Sequence, residues 1–350
     1  MPFDVAFVVP RSGPAGIVGP SCEACGQLAA DEVNAAGGIR GRELRLHVVD
    51  GGRAPREVAR EVAGLVATGA VRAVTGWHTS AVRQALVPVL AGRVPYVYSP
   101  LYEGGERAPG VFLAGETPDR QLLPALRWMA RERGVRSWCV VGDDYVWPQV
   151  SARVARRFAD RSGELRVVDE VYVPLGTREF APVVERVARS GAGGVLMLLV
   201  GSDAVCFNRA FAAAGLDAAM VRLSPLMEEN MVLATGAGAT AGLYAAAGFF
   251  ERLATADGLD FARRYTARFG VHAPVLNALG ESCYEGVVLL SRLAARTARP
   301  EPPAWAAAAD GLAYDSPRGP VRMAGNHLVQ SVYLAAADGL ALDVIAQLAP

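Results

Sequence analysis

Four short segments carry hydroxyl and aromatic side chains that could handle a small polar molecule: WHTS (77–80), YVYSPLYEGG (96–105), DDYVWP (143–148) and VGSD (200–203). Each follows an apolar, β-branched run, so each is expected just beyond a strand end, where open α/β sheets bind their ligands. Hydroxyls, backbone N–H and C=O groups and flat aromatic walls suit a small, neutral, polar ligand. A binder of free amino acids would instead need a cation for the carboxylate and an acid for the ammonium.

Catalytic readings of the same residues are weaker. His78 and Ser80 stand at i and i+2, and Cys283 can be drawn with a distant histidine. However, the chain has no G-x-S-x-G elbow and no H-E-x-x-H, and its four histidines (47, 78, 272 and 327) fall in unrelated contexts. All 35 basic residues are Arg. Without lysine there is no amine for a Schiff base and none for a P-loop or a protein-kinase site. Cys22 and Cys25 form a C-x-x-C with no histidine or second cysteine pair nearby, which favours buried helix cysteines over a redox or metal pair. Five scattered cysteines, an odd number, argue against a disulfide framework. The expectation is a binding protein rather than an enzyme, with no cofactor and no metal.

The elements that must position these segments alternate strand and helix in βαβ fashion. DVAFVV (4–9), ELRLHVVD (43–50), VRAVTG (71–76) and VPYVYS (94–99) read as strands separated by helices, and GVFLAG (110–115) follows. A second series runs through SWCVVGDD (137–144), LRVVDEVYV (165–173), GGVLMLLV (193–200) and MVRLS (220–224). AGLYAAAGFF (241–250) reads as a link back to the first unit, with helices expected at 257–269, 276–297 and 303–311 before a β-rich end. The 350 residues, 52% hydrophobic, exceed what a single core usually holds. The predicted architecture is α/β: two doubly wound lobes joined by three crossovers, with a ligand cleft between them. Lobe 1 is expected to comprise 1–117 and 248–318, and lobe 2 to comprise 118–247 and 319–350.

Thirty-five acidic side chains balance the arginines, so no global field points to nucleic acid or an anionic membrane. RRFADR (156–161) and ARRYTAR (262–268) mix Arg with acids or polar residues and read as solvated helix faces. No run reaches the roughly 18 apolar residues of a membrane span. The start, MPFDVAFVVPRSG, has no basic n-region and no small-residue cleavage site. That predicts a cytoplasmic protein or, alternatively, an exported one whose leader has been removed.

NAAGGIRGRELRL (34–46), SPLYEGG (99–105), VVGDDYVWP (140–148), EVYVPLG (170–176), GESCYEG (280–286) and DSPRGPVRMAGNHL (315–328) resemble type I periplasmic binding proteins. The resemblance runs from residue 3 to about 336. The Tyr-Glu-Gly and Asp-Tyr-x-aromatic-Pro pieces are similar to one branch, that of the aliphatic-amidase regulator and the urea and short-chain-amide transporter binding proteins.

What this resemblance implies is a ligand held by Ser80, through its hydroxyl and the helix N-terminus, and by Tyr98, Tyr102 and Tyr145. His78 stands where the amide regulator has Tyr. Pro100 and Leu101 replace a Thr-Pro pair, and Trp147 replaces a Tyr, exchanging a hydroxyl for a donor-only indole. Gly201 and Ser202 would add backbone and hydroxyl contacts, as would Ser224. Glu281 lies beside the cleft by resemblance, or else forms a structural ion pair.

Two binding functions follow from the resemblance. One is a cytoplasmic amide sensor that negatively regulates an amidase-type operon, with an RNA-binding antitermination regulator as partner. The alternative is the substrate-binding component of a urea or short-chain-amide ABC transporter, with a permease as partner. Either is compatible with a homo-oligomer, and neither implies direct contact with nucleic acid.

Overall fold

The computed structural model describes residues 1–297, 299 and 301–349. The chain folds into two compact units, Met1–Gly115 with Thr255–Gln330, and Glu116–Ala254 with Ser331–Pro350. It therefore passes three times from one unit to the other. Both are α/β.

The first unit opens with β1 (Phe3–Val9), α1 (Gly19–Ala35), β2 (Leu44–Asp50), α2 (Pro55–Ala67), β3 (Ala73–Gly76), α3 (Ser80–Leu90), β4 (Tyr96–Tyr98) and β5 (Val111–Leu113). The second contributes α4 (Leu122–Glu132), β6 (Ser137–Asp143), α5 (Val146–Ser162), β7 (Arg166–Val173) and α6 (Ala181–Arg189). It continues with β8 (Gly194–Leu198), α7 (Ser202–Ala213), β9 (Val221–Ser224), α8 (Glu229–Thr235) and β10 (Leu243–Ala247). The chain then returns to the first unit as α9 (Ala256–Phe269), α10 (Ala278–Arg296), α11 (Pro302–Ala309), β11 (Ala313–Ser316), β12 (Gly319–Ala324) and β13 (His327–Val329). It ends in the second with β14 (Val332–Asp338) and β15 (Ala341–Leu348).

The first sheet runs β11-β12-β13-β5-β4-β3-β1-β2 and the second β15-β14-β10-β9-β8-β6-β7. β1 to β5 are mutually parallel where they pair. Central parallel strands are covered on both faces and therefore read as unbroken apolar runs; Val5 to Val9 of β1 are all buried. Gly76, at φ 127°, ends β3 where an added Cβ would lie 2.3 Å from the Val8 carbonyl oxygen, so only glycine fits the crossing that leads to Ser80. α1 packs on α10: the Cys22 thiol donates to the Leu279 carbonyl at 3.6 Å, and Cys22, Cys25 and Cys283 are all buried and form no disulfide. The C-x-x-C is core, as its spacing on a helix indicated.

Three boundaries differ from expectation: residues 116–117 and 248–254 lie in the second unit, and the last crossover comes later in the chain. Residues 319–330 lie in the first unit, because β12 forms a hairpin with β11 and β13 bridges to β5. AGLYAAAGFF is no link: Leu243–Ala247 is an interior strand of the second sheet, between β9 and β14. Among the described residues no helix is long and apolar enough to cross a membrane.

Candidate ligand-binding site

Ser80 begins α3 directly after the extended Thr79, so its backbone N–H is one of the donors a helix start leaves unused by the helix itself. Its hydroxyl donates to Glu103 Oε2 at 2.5 Å. Tyr98 donates its hydroxyl to the His78 carbonyl at 2.9 Å and lies 3.5 Å from Ser80 Oγ. Each hydroxyl has one proton, and both protons are committed. What Ser80 Oγ retains is acceptor capacity.

Glu103 is also bound by Arg83 Nη2 at 2.6 Å, and Arg83 Nη1 bonds Glu106. One guanidinium thus serves two carboxylates, leaving a net negative charge beside Ser80. Arg83 lies over the rings of Tyr98 and Tyr102, 5.6 and 5.1 Å from their centroids, where the ring quadrupole favours a cation. Sequence reading missed Arg83, Glu103 and Glu106 as a unit. The available signal was an Arg three residues after Ser80 on one helix face, opposite two acids three apart in YEGGE.

His78 is fully buried. Val8 O can only accept, so at 3.1 Å it takes the Nδ1 proton, and Nε2 accepts from the Tyr96 hydroxyl at 2.6 Å. His78 stacks on Tyr96 and meets Tyr98 edge-on at centroid distances of 5.9 and 5.2 Å. Burial pushes its pKa down to about 3, so it is neutral and both ring nitrogens are engaged inside the unit. Tyr102 stacks on His327 and hydrogen-bonds it. Pro100 and Leu101 are buried against Gly115, where a Cβ would sit 1.9 Å from the Pro100 carbonyl oxygen. These residues form one continuous polar-aromatic layer under Ser80.

The neutral His78 makes stability pH-dependent. A histidine whose folded pKa is depressed stabilises the fold above the unfolded value of about 6.5, and that contribution is lost as pH falls toward 3. By pH 5 the loss is about 2 kcal/mol. Urea denaturation at pH 7 and pH 5 should show it, and His78→Gln should flatten the difference; an equal slope in both proteins would refute the assignment.

Glu281 and Arg318 form a fully buried ion pair, which places Glu281 in the structural role. Ser224 is buried too, and its Oγ accepts the Leu226 N–H at 3.1 Å, bracing its own turn.

In the second unit Tyr145 precedes α5 in extended conformation, half-buried, with its ring 6.3 Å from that of the buried Trp147. Gly201 precedes α7, and Ser202 is exposed with its hydroxyl on Asp203 at 3.3 Å. Beneath them lies a pair that sequence reading did not single out. Asp143 Oδ2 accepts Val200 N–H at 2.8 Å and Asp203 Oδ2 accepts Gly176 N–H at 2.6 Å, and the two carboxyls are close enough for Asp203 to disfavour charge on Asp143. Burial and the neighbouring Asp203 push Asp143 up to about 9. The pair therefore carries a proton at neutral pH and ties together the loops holding Tyr145 and Ser202.

The family model described as periplasmic binding protein matches residues 2–341. The Leu/Ile/Val-binding protein homolog 6 of Brucella melitensis is 28% identical over 285 residues, 77% of this chain and 71% of that one. Among solved structures, a solute-binding protein of an ABC transporter from Rhodopseudomonas palustris HaA2, in complex with p-hydroxybenzoic acid, is similar at a TM-score of 0.87. It is 21% identical and the match covers 99% of this chain and 97% of that one. The branched-chain amino acid transporter substrate binding protein of Streptococcus pneumoniae, in complex with isoleucine, gives 0.87 at 18% identity over 99% of each chain. These likenesses and the two α/β units establish the type I fold, and with a family match spanning nearly its whole length the chain belongs to the periplasmic binding proteins.

Proposed function

We propose that this protein is the substrate-binding component of an ABC-type transporter for a small neutral ligand carrying an amide or urea group. The transporter role is supported by the ABC solute-binding proteins among its structural neighbours and by the Leu/Ile/Val-binding homologues. They favour it over an operon-regulating sensor. In this role the protein captures its ligand on the outer side of the membrane and hands it to a permease.

The ligand class rests on one observation, the proton arrangement at Ser80. Its hydroxyl proton is held by Glu103, so Oγ can accept an N–H from the ligand while the helix-start N–H donates to the ligand carbonyl. An amide has both groups. A carboxylate has no N–H to offer, and it would be placed beside two acids that share a single guanidinium; like charges brought together in this way cost several kcal/mol.

Calorimetry with benzamide, acetamide and urea set against benzoate and isoleucine tests this directly. Benzamide and benzoate have nearly the same shape, so their difference isolates the charge. The amide is expected to bind about 100-fold or more tightly than the acid, and Glu103→Gln should narrow that gap. Benzoate or isoleucine binding as well as any amide would overturn the ligand class.

A further inference from the structure

The first unit carries a cavity of about 420 Å³ at the end of its sheet opposite to Ser80. Phe3 opens β1, Arg72 immediately precedes β3, Pro95 immediately precedes β4, and Arg42 lies two residues before β2; all of them line this cavity. These strands are parallel, so the cavity sits at their amino ends, whereas Gly76–Ser80 and Tyr98–Tyr102 follow carboxyl ends.

Its lining combines two unlike materials. The apolar part includes the buried Ile39 and Trp305. The charged part is five arginines, Arg40, Arg42, Arg72, Arg93 and Arg299, with no acidic residue among the described lining residues. This is unusual in a chain with equal numbers of acidic and basic side chains, whose other surface arginines are often ion-paired, as at Arg11–Glu23, Arg186–Asp169 and Arg268–Asp31. The adjacent acids are engaged elsewhere: Glu43 holds Arg45 and Asp4 holds His47.

Backbone geometry adds an independent sign. Arg40, at φ 53°, is the one non-glycine residue with positive φ among the described residues, a conformation that long side chains adopt at a cost and that marks functional positions. It sits in a tight turn closed by the Ile39–Arg42 bridge, in a stretch where Gly37, Gly38 and Gly41 also have positive φ. A fourth glycine would be the unstrained choice; an arginine there projects a guanidinium at the cavity.

We infer that this cavity binds an organic phosphate ester, its phosphate held by the arginine forks and its apolar body resting on Ile39 and Trp305. Guanidinium forks match phosphate oxygens two at a time, and the volume lies in the range of small-molecule sites. The same chemistry is offered by a soluble phosphomonoester and by an anionic phospholipid headgroup at a bilayer surface. The site is separate from the amide-binding layer and does not depend on that assignment.

The test uses the whole protein with phenyl phosphate, inorganic phosphate, and vesicles of phosphatidylcholine with and without phosphatidylglycerol. Phenyl phosphate is expected to bind at one site, about tenfold more tightly than inorganic phosphate, with affinity falling as salt rises. Arg72→Ala with Arg93→Ala should weaken it by about tenfold or more while leaving the thermal midpoint unchanged, and Arg189→Ala in the second unit should leave binding unchanged. Co-sedimentation with phosphatidylglycerol vesicles that is lost in the same double variant would identify the bilayer as the source, and binding of phenyl phosphate alone would identify a soluble ester. The inference fails if neither probe binds at 50 mM salt (on the order of one Debye length of 14 Å), if the double variant binds both as wild type does, or if phenyl phosphate binds no better than phosphate.

Discussion

Arg318→Ala is expected to destabilise the protein by about 3–5 kcal/mol, a larger effect than that of any exposed ion pair. Arg318 lies in the turn between β11 and β12, and its guanidinium bonds Glu281 on the first turn of α10, with both side chains essentially removed from water. It also reaches the Ala114 carbonyl, just past β5, at 3.4 Å. Removing it takes away the cation that offsets a buried carboxylate, and the desolvation of that carboxylate is then uncompensated. Replacing both partners, Arg318→Met with Glu281→Leu, should recover most of the loss, because an apolar pair of similar volume carries no such penalty. Urea denaturation of the three proteins measures this. A single variant within 1 kcal/mol of wild type (about the value of an exposed pair) would show that the ion pair does not hold the hairpin to the helix.

Raising the pH from 7 to 9 is expected to cost roughly 2 kcal/mol as the Asp143–Asp203 pair gives up its proton. The sign follows from the raised pKa of Asp143. Unfolded, Asp143 titrates near the ordinary value of 3.8, while in the fold burial holds it at about 9. The native state therefore binds more protons than the unfolded state between those values, and stability falls as pH rises through that window. Glu229, buried and pushed up to about 8 by desolvation, acts in the same direction. Asp143→Asn keeps an acceptor for the Val200 N–H and supplies a permanent donor for Asp203, so it should flatten the alkaline slope. Thermal midpoints of wild type and variant between pH 7 and 9.5 decide the matter, and an unchanged slope in the variant would assign the alkaline loss elsewhere. Opening of this pair should also loosen the loops bearing Tyr145 and Ser202.

Much of this fold was legible because buried parallel strands leave an unmistakable trace. β1, β3, β6 and β8 are short apolar runs separated by helical periods, and the C-x-x-C of α1 read correctly as core. β10 was misread because Leu-Tyr-Ala-Ala-Ala has little of the β-branched bulk that marks strands. It is interior because its neighbours on both sides supply the packing. The 319–330 segment was assigned to the wrong unit since β-character says that a strand exists and not which sheet it joins. At the site, residue types were visible but proton directions were not. Nothing in WHTS shows that the Ser80 hydroxyl is spent on Glu103, or that His78 turns both nitrogens inward. Those depend on α3 bringing position 83 opposite 103 and 106, a relation between segments 20 residues apart.

The interleaved chain order bears on how this protein is made. α1 buries its face against α10, yet α10 ends at Arg296, 181 residues after Gly115 closes the first stretch of its unit. At ordinary translation rates that interval lasts roughly 10–40 s. Throughout it, the apolar flank of α1 that carries Cys22 and Cys25 awaits its cover, and the second sheet still lacks β14 and β15. The nascent chain thus holds two unfinished cores at once, and neither closes until nearly all of the chain has left the ribosome. A chaperone that shields α1 during that wait would raise the yield without touching any residue of the ligand site.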